Sequence, residues 1–342
     1  MEIDKNLVSQ IKITPIIESL KLENIDDDTY FSEYKKDYIS NSRLGILIKY
    51  GVKTFFEGIP NEYNASFETG SLVHQKLLQP EVFEVIEGVY KPTAKAGLMA
   101  DALYKPDGTT PTDDEIKSMS YVIGYYKDKL TSNRIKEFRD KAESYWRDRF
   151  LYEQNNPHTE RNKTRIYTDE KNFEILTNCL KTLNNNRDIQ KLLHPEGLLS
   201  EPIIKNEHTI LLDVKIEIPG YEPRVYKLKA KLDNFTIDRE SGIITVNDLK
   251  TTSRPVSQFD PKFFRYQREI AFYSYLLKLI AKYKYDIENP SIKGNFLVVS
   301  TIPDYNTLVY PMTPKLFKMG WEEVKYLLKC VAYFNQVKGY EF

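Results

Sequence analysis

Between His208 and Ile218 the side chains alternate. Ile210, Leu212, Val214, Ile216 and Ile218 are apolar; Thr209, Asp213, Lys215 and Glu217 are polar; Leu211 breaks the pattern. Period two puts successive residues on opposite faces and predicts a half-buried strand. Pro219-Gly220 reads as a turn, and Arg224 to Ile237 as a second strand. Its Tyr226, Leu228, Ala230 and Leu232 share one face, and Lys227, Lys229, Lys231 and Asp233 the other. After a turn at Asp238 to Gly242, Ile243 to Lys250 reads as a third strand. Its first half is apolar on both faces, which predicts a central position. Such a block requires a sheet, and helices to cover it.

The first third of the chain reads as helical and irregular. Ser40 or Ser42 caps an apolar stretch from Leu44 to Tyr50, which Gly51 and Gly58-Ile59-Pro60 break. A second helix starts near Ser66, carries Gly70, Leu72, Val73, His74, Leu77 and Leu78, and ends at Pro80. From Thr112 to Asn184 the pattern is mostly helical, with a capping box at Thr112 to Glu115. Tyr121, Ile123, Tyr125, Tyr126 and Leu130 suggest a partly buried stripe, and 155–161 a loop. Beyond the sheet block come a long helix (Pro261 to Tyr283), a short buried strand (Phe296 to Ser300), an edge strand (Tyr305 to Tyr310) and a closing helix (Pro314 to Gln336). The expected fold class is α/β (α+β): a mixed sheet with an antiparallel hairpin, flanked by helices. The expected organisation is a single domain over 1–342, with a helical N-terminal part (1–90), a helical insertion (91–198), and the sheet with its C-terminal helices (199–342).

Composition narrows the chemistry. The 342 residues are 41% hydrophobic, enough to bury a sizeable core. No apolar run of about 18 residues occurs to span a bilayer, so no membrane partner is expected. The stretch Met1 to Leu20 lacks the basic start and continuous apolar segment of a secretory signal, which predicts a cytoplasmic protein. The two cysteines, Cys179 and Cys330, are too few for a cysteine-rich zinc site or a four-cysteine iron–sulfur cluster. Acidic and basic residues balance at 49 each. Attraction to nucleic acid would therefore rest on a local patch.

Asp248 and Lys250, two apart at the end of an apolar strand, share a face, and Asp233 lies one hairpin away. Two carboxylates meeting on a sheet suit Mg²⁺ or Mn²⁺. A neighbouring lysine can position water or offset charge developing on a phosphate. Asp-x-Lys alone is a weak signal: Asp213-Val214-Lys215 has the same form on a face read as solvated, and a buried structural ion pair would look alike.

Taken together, Lys229-Ala230-Lys231-Leu232-Asp233, Asp248-Leu249-Lys250-Thr251-Thr252 and Ala271-Phe272-Tyr273 resemble the PD-(D/E)XK superfamily. The likeness is to RecE-type and lambda-type phage exonucleases and RecB-like nuclease domains. Gly70-Ser71-Leu72-Val73-His74, followed by Gln79-Pro80-Glu81, resembles the histidine motif upstream of that core. The resemblance implies a restriction-endonuclease-like core. It implies that His74, Asp233 and Asp248 are metal ligands, with the Leu249 carbonyl beside them and Lys250 as catalytic lysine. Glu201 resembles an acidic position near the metal. The family often carries a DNA-contacting glutamine four residues before the helix tyrosine; Glu269 stands there, and Gln267, six residues before Tyr273, is with that tyrosine the candidate for contacting nucleic acid.

The resemblance implies a 5′–3′ duplex-end exonuclease acting on DNA with an annealing partner, and some relatives form rings. A structure-selective or single-strand endonuclease, or an inactive DNA-binding scaffold, are the alternatives. Lys227, Lys229 and Lys231 would track phosphates, or form a solvated face. Tyr121, Tyr125 and Tyr126 read as core packing, with base stacking as the other reading.

Overall fold

The computed structural model describes residues 3–32, 37–58, 65–125, 130–157, 163–196 and 201–341. In chain order these form α1 (Lys5–Gln10), β1 (Lys12–Glu23), α2 (Asp27–Ser32), β2 (Tyr38–Ile39), α3 (Asn41–Glu57), α4 (Ala65–Leu78), β3 (Phe83–Val85), α5 (Ala94–Ala102), α6 (Asp113–Ile123), α7 (Ser132–Asn155) and β4 (Thr164–Ile166). Then follow α8 (Glu170–Asn185), α9 (Arg187–Leu193), β5 (Ile203–Glu217), β6 (Arg224–Asp238), β7 (Ile243–Thr252), α10 (Tyr266–Tyr285), β8 (Ser291–Ser300), β9 (Thr307–Pro311) and α11 (Pro314–Gln336). Ile59, Pro60, Tyr126 and part of the 155–161 loop lie outside the described residues. Two compact units result, one of Met1–Asn61 with Thr182–Phe342 and one of Glu62–Lys181.

The first unit holds a mixed sheet flanked by helices, in the order β1-β5-β6-β7-β8-β9, with β2 pairing β6. Strands β1, β5, β6 and β7 are successively antiparallel, β7 and β8 run parallel, and β9 closes the edge antiparallel to β8. The parallel β7–β8 pair needs a crossover, which α10 supplies. The alternating residues Ile210, Leu212, Val214 and Ile216 enter the core with Leu228, Ala230 and Leu232, against Phe272, Leu276 and Ile280 of α10 and Val324 and Val331 of α11. Leu211, the exception to the alternation, packs on the opposite side with Ile25 and Tyr30. Helices α10 and α11 approach so closely that a Cβ on Gly320 would meet the Gln267 carbonyl oxygen at 2.2 Å.

The N-terminal part is not wholly helical. Lys12–Glu23 forms the long edge strand β1. Its alternation is hidden by Pro15, which an edge strand tolerates, and by a register shift between Ile16 and Lys21. Helix α10 begins at Tyr266, five residues later than expected, because 261–265 turns and Arg265 adopts a left-handed backbone. Ser40 caps α3 by accepting from the Arg43 amide.

The second unit has its own core of Ile86, Met99, Ile116, Phe138 and Tyr145, and a short parallel β3–β4 pair. The capping box of α6 is present, with Thr112 and Glu115 bonded reciprocally. Tyr121 departs from the expected stripe, at 88% exposed, while Ile123, Tyr125 and Leu130 pack against that core. Both cysteines are buried, and neither is in a disulfide. No helix among the described residues is long and apolar enough to cross a membrane.

Candidate metal centre

The β6–β7 ladder ends at the pair Asn234–Asn247. Asp233 and Asp248 are the next positions beyond it, facing each other across the two strands. The Leu249 amide donates to Asp233 Oδ2 at 2.7 Å, which ties the carboxylate of β6 to the backbone of β7. Asp248 is 1% exposed. Lys250, two residues on and on the same face, brings Nζ to 2.7 Å from Asp248 Oδ2 and 3.0 Å from Glu269 Oε2. Tyr273, one helical turn beyond Glu269, donates its hydroxyl to Glu269 Oε1 at 3.0 Å. Glu269 thus holds the lysine together with Asp248.

On the other side of Asp233, Glu207 of β5 lies across the sheet between the pairs Asn206–Asn234 and His208–Leu232. Carboxylate oxygens of Glu207 and Asp233 approach within 4.8 Å. Glu207 has a left-handed backbone, φ 51°, a conformation that costs a non-glycine residue about 1–3 kcal/mol. Sequence reading passed over this glutamate, yet a signal existed. Glu207 and Asp233 stand 13 residues either side of Gly220, so counting outward from the Pro219-Gly220 turn pairs them.

Burial sets the electrostatics. It pushes the Asp248 carboxyl well above the usual range; Lys250 opposes this, while the charges of Glu269 and Asp233 add to it. Burial alone would lower the Lys250 pKa, but Asp248, Glu269 and Asp233 more than reverse it, and the ammonium stays charged. Burial would raise Glu269, and Lys250 outweighs it, aided by the Tyr273 hydroxyl. Asp248 Oδ2 is buried, and the Lys250 ammonium stands 2.7 Å from it. The carboxylates of Asp233, Asp248 and Glu207, at neighbouring positions of three adjacent strands, form an oxygen donor set that fits a hard divalent cation.

Behind the acids runs a ladder of asparagines. Asn206, Asn234, Asn247 and Asn295 occupy matched positions on β5, β6, β7 and β8. Asn234 donates to Asn206 Oδ1 (2.7 Å), Asn247 to Asn234 Oδ1 (2.7 Å), and Asn295 to Asn247 Oδ1 (2.9 Å). Each of the first three is one residue from Glu207, Asp233 or Asp248, and so belongs to the opposite face of its strand.

The remaining sequence candidates differ in burial and in partners. His74 lies half-buried on α4 of the second unit. Glu201 is exposed ahead of β5. Gln267 is 4% exposed, its Oε1 buried without a hydrogen-bond partner among the described residues. Lys227 is exposed and stands over the Tyr38 ring at 5.5 Å. Lys231 pairs with Asp27 and, at 3.7 Å, with Glu207. Lys229 is 5% exposed and donates to the Tyr30 carbonyl at 2.6 Å, so its charge points into the protein. The rival Lys215 pairs with Glu217 on a half-exposed face.

Burial, with Arg43 adding to it, pulls the Lys229 pKa down from 10.5 to about 8. Between those values the unfolded chain binds more protons than the folded one, so stability rises with pH there, and the penalty is fully present below about pH 8. The denaturant midpoint of the wild type is expected to climb from about pH 7 to about pH 10, and Lys229→Met to flatten that climb. A wild-type midpoint that stays level over this range would contradict the assignment.

No family model matches the chain, and no curated protein does. Among solved structures, the chain is similar to the crystal structure of a "Putative exonuclease" from Eubacterium rectale. The TM-score is 0.45 at 11% identity, over 91% of this chain and 86% of that one. At that TM-score the likeness carries no weight for fold or function.

Proposed function

We propose that the protein is a divalent-metal-dependent deoxyribonuclease of the PD-(D/E)XK type. In this reading it is a cytoplasmic 5′–3′ exonuclease acting on duplex ends in phage-type recombination. The observation that supports the reading most is the meeting of Asp233, Asp248 and Lys250 just beyond the last β6–β7 pair, with Asp248 buried and the lysine 2.7 Å from it. Asp233, Asp248, Glu207 and the Leu249 carbonyl would hold Mg²⁺ or Mn²⁺, and the sequence resemblance adds His74. When bound, such an ion lowers the pKa of water and polarises a phosphoryl oxygen.

The protein's own part is positioning and charge. Lys250, kept protonated by Asp248 and Glu269, presents an ammonium where negative charge develops on the phosphate. Tyr273 fixes Glu269, and Glu269 in turn aims Lys250. Of the three strand lysines, Lys227 is the one exposed to contact the DNA backbone. Glu201 and Gln267 keep the roles that the resemblance implies for them, as do the annealing partner and the ring assembly.

Linear and closed-circular duplex DNA, incubated with Mg²⁺ or with EDTA, test the reading. Linear DNA should be degraded only with Mg²⁺, and circles spared. Lys250→Ala should slow degradation by about 10²-fold or more. Glu207→Gln and His74→Ala should raise the Mg²⁺ requirement about 10-fold or more. Cutting of closed circles would favour an endonuclease; no metal-dependent cleavage of either DNA would leave the scaffold reading.

A further inference from the structure

Two phenylalanines on the turn leading into α10 stand in solvent, Phe263 at 71% and Phe264 at 44% exposed. They are not isolated. Phe263 packs edge-on against Phe264, with ring centroids 4.9 Å apart. Phe264 lies nearly parallel to Tyr266 at 5.2 Å, and Tyr266 nearly parallel to Phe259 at 6.0 Å. The Lys250 ammonium sits 5.0 Å from the centre of the Tyr266 ring. A continuous row of rings therefore runs from the lysine of the acidic cluster to the surface. Water meets its outer end, where an apolar ring gains nothing by exposure.

Charge beside this end indicates the occupant. Arg254 and Lys262 are exposed on the same connection between β7 and α10, and Arg265, which pairs with Glu323 at 2.7 Å, is half-exposed there. Flat apolar rings flanked by cations, continuous with a lysine poised for a phosphate, match a nucleotide: the base against the rings, the backbone beside the cations. A base within a duplex has both faces covered by its neighbours, so only an unpaired base can offer one to a phenyl ring.

We propose that Phe263 and Phe264 form a stacking site for an unpaired nucleobase next to the phosphate being hydrolysed, so that the strand enters the site locally single-stranded. This inference rests on the nuclease reading and adds to it the state of the strand and the residues that sense it. Stacking tolerates any base, so the site selects for the presence of a base rather than for sequence.

The test uses the full-length protein and oligonucleotides with single-stranded ends, each intact or carrying one abasic site near the cut. With Mg²⁺, wild type is expected to lose about 10-fold in kcat/KM on the abasic strand. Phe264→Ala should treat intact and abasic strands alike, and Phe264→Trp should restore the preference. In EDTA, 2-aminopurine at that position should be quenched by wild type and not by Phe264→Ala. Cleavage with no difference between intact and abasic strands would overturn the stacking site while leaving the nuclease reading standing. Neither cleavage nor quenching would overturn both. A Phe264→Ala protein that changes from dimer to monomer, with base preference unchanged, would assign the rings to a contact between copies of the chain and overturn the proposal.

Discussion

Asp248→Asn is expected to lower DNA degradation by about 10³-fold while leaving the protein folded. Asparagine keeps the volume and shape of the aspartate, so the packing around this 1%-exposed side chain survives. What disappears is the negative charge next to Lys250 and Asp233, and with it one buried carboxylate oxygen of the proposed metal site. Lys250 keeps Glu269 as a counter-charge at 3.0 Å, so the variant should stay folded, although losing one partner of a buried ion pair should lower its melting temperature. The decisive pair of measurements is the initial rate on linear DNA in Mg²⁺ and the melting temperature of the same sample. A rate within a few-fold of wild type, in a protein that remains folded, would remove Asp248 from the site. Calorimetric titration with Mn²⁺ gives a readout independent of turnover, and the variant should bind that ion more weakly.

The second large effect concerns stability. Asn247 is 1% exposed and sits at the centre of the asparagine ladder. Its side chain donates to Asn234 Oδ1 and to the Leu192 carbonyl, and accepts from Asn295 Nδ2. Asn247→Ala leaves three buried polar groups without these partners. At about 1–3 kcal/mol for each group left unsatisfied, the expected loss is about 3 kcal/mol or more. Asn206→Ala, at the ladder's less buried end, should cost about 1 kcal/mol. Urea denaturation of the two variants checks the difference. Equal midpoints would mean that the ladder does not carry the load assigned to it. The ladder also matters to the acids, because a slip of one residue in strand register turns every side chain to the opposite face. Any Asn247→Ala protein that remains folded should therefore be slower on DNA than its stability alone accounts for.

Much of this arrangement could be read along the chain. Alternation marked β5 and β6, the apolar run marked β7, and the spacing of Asp248 and Lys250 put both on one face. The caps at Ser40 and Thr112 were legible because capping needs residues within one helical turn. β1 was missed because Pro15 and the register shift break the periodicity on which strand reading depends. The lysines of β6 show a further limit. Period two placed them on one face, but Lys229 folds its charge onto the Tyr30 carbonyl and Lys231 onto Asp27 and Glu207, and those partners come from distant segments.

The sequence by itself determined local geometry, meaning which residues alternate, where helices start, and that an aspartate and a lysine end a buried strand side by side. Only the tertiary structure decided that Glu207 stands beside Asp233, that Glu269 grips Lys250, and that a row of rings leads from that lysine to solvent. The reason is range. Periodicity is set by neighbours a few bonds away, whereas the meeting of acids on β5, β6, β7 and α10 depends on strand register and helix docking, and those are fixed by the packed core as a whole.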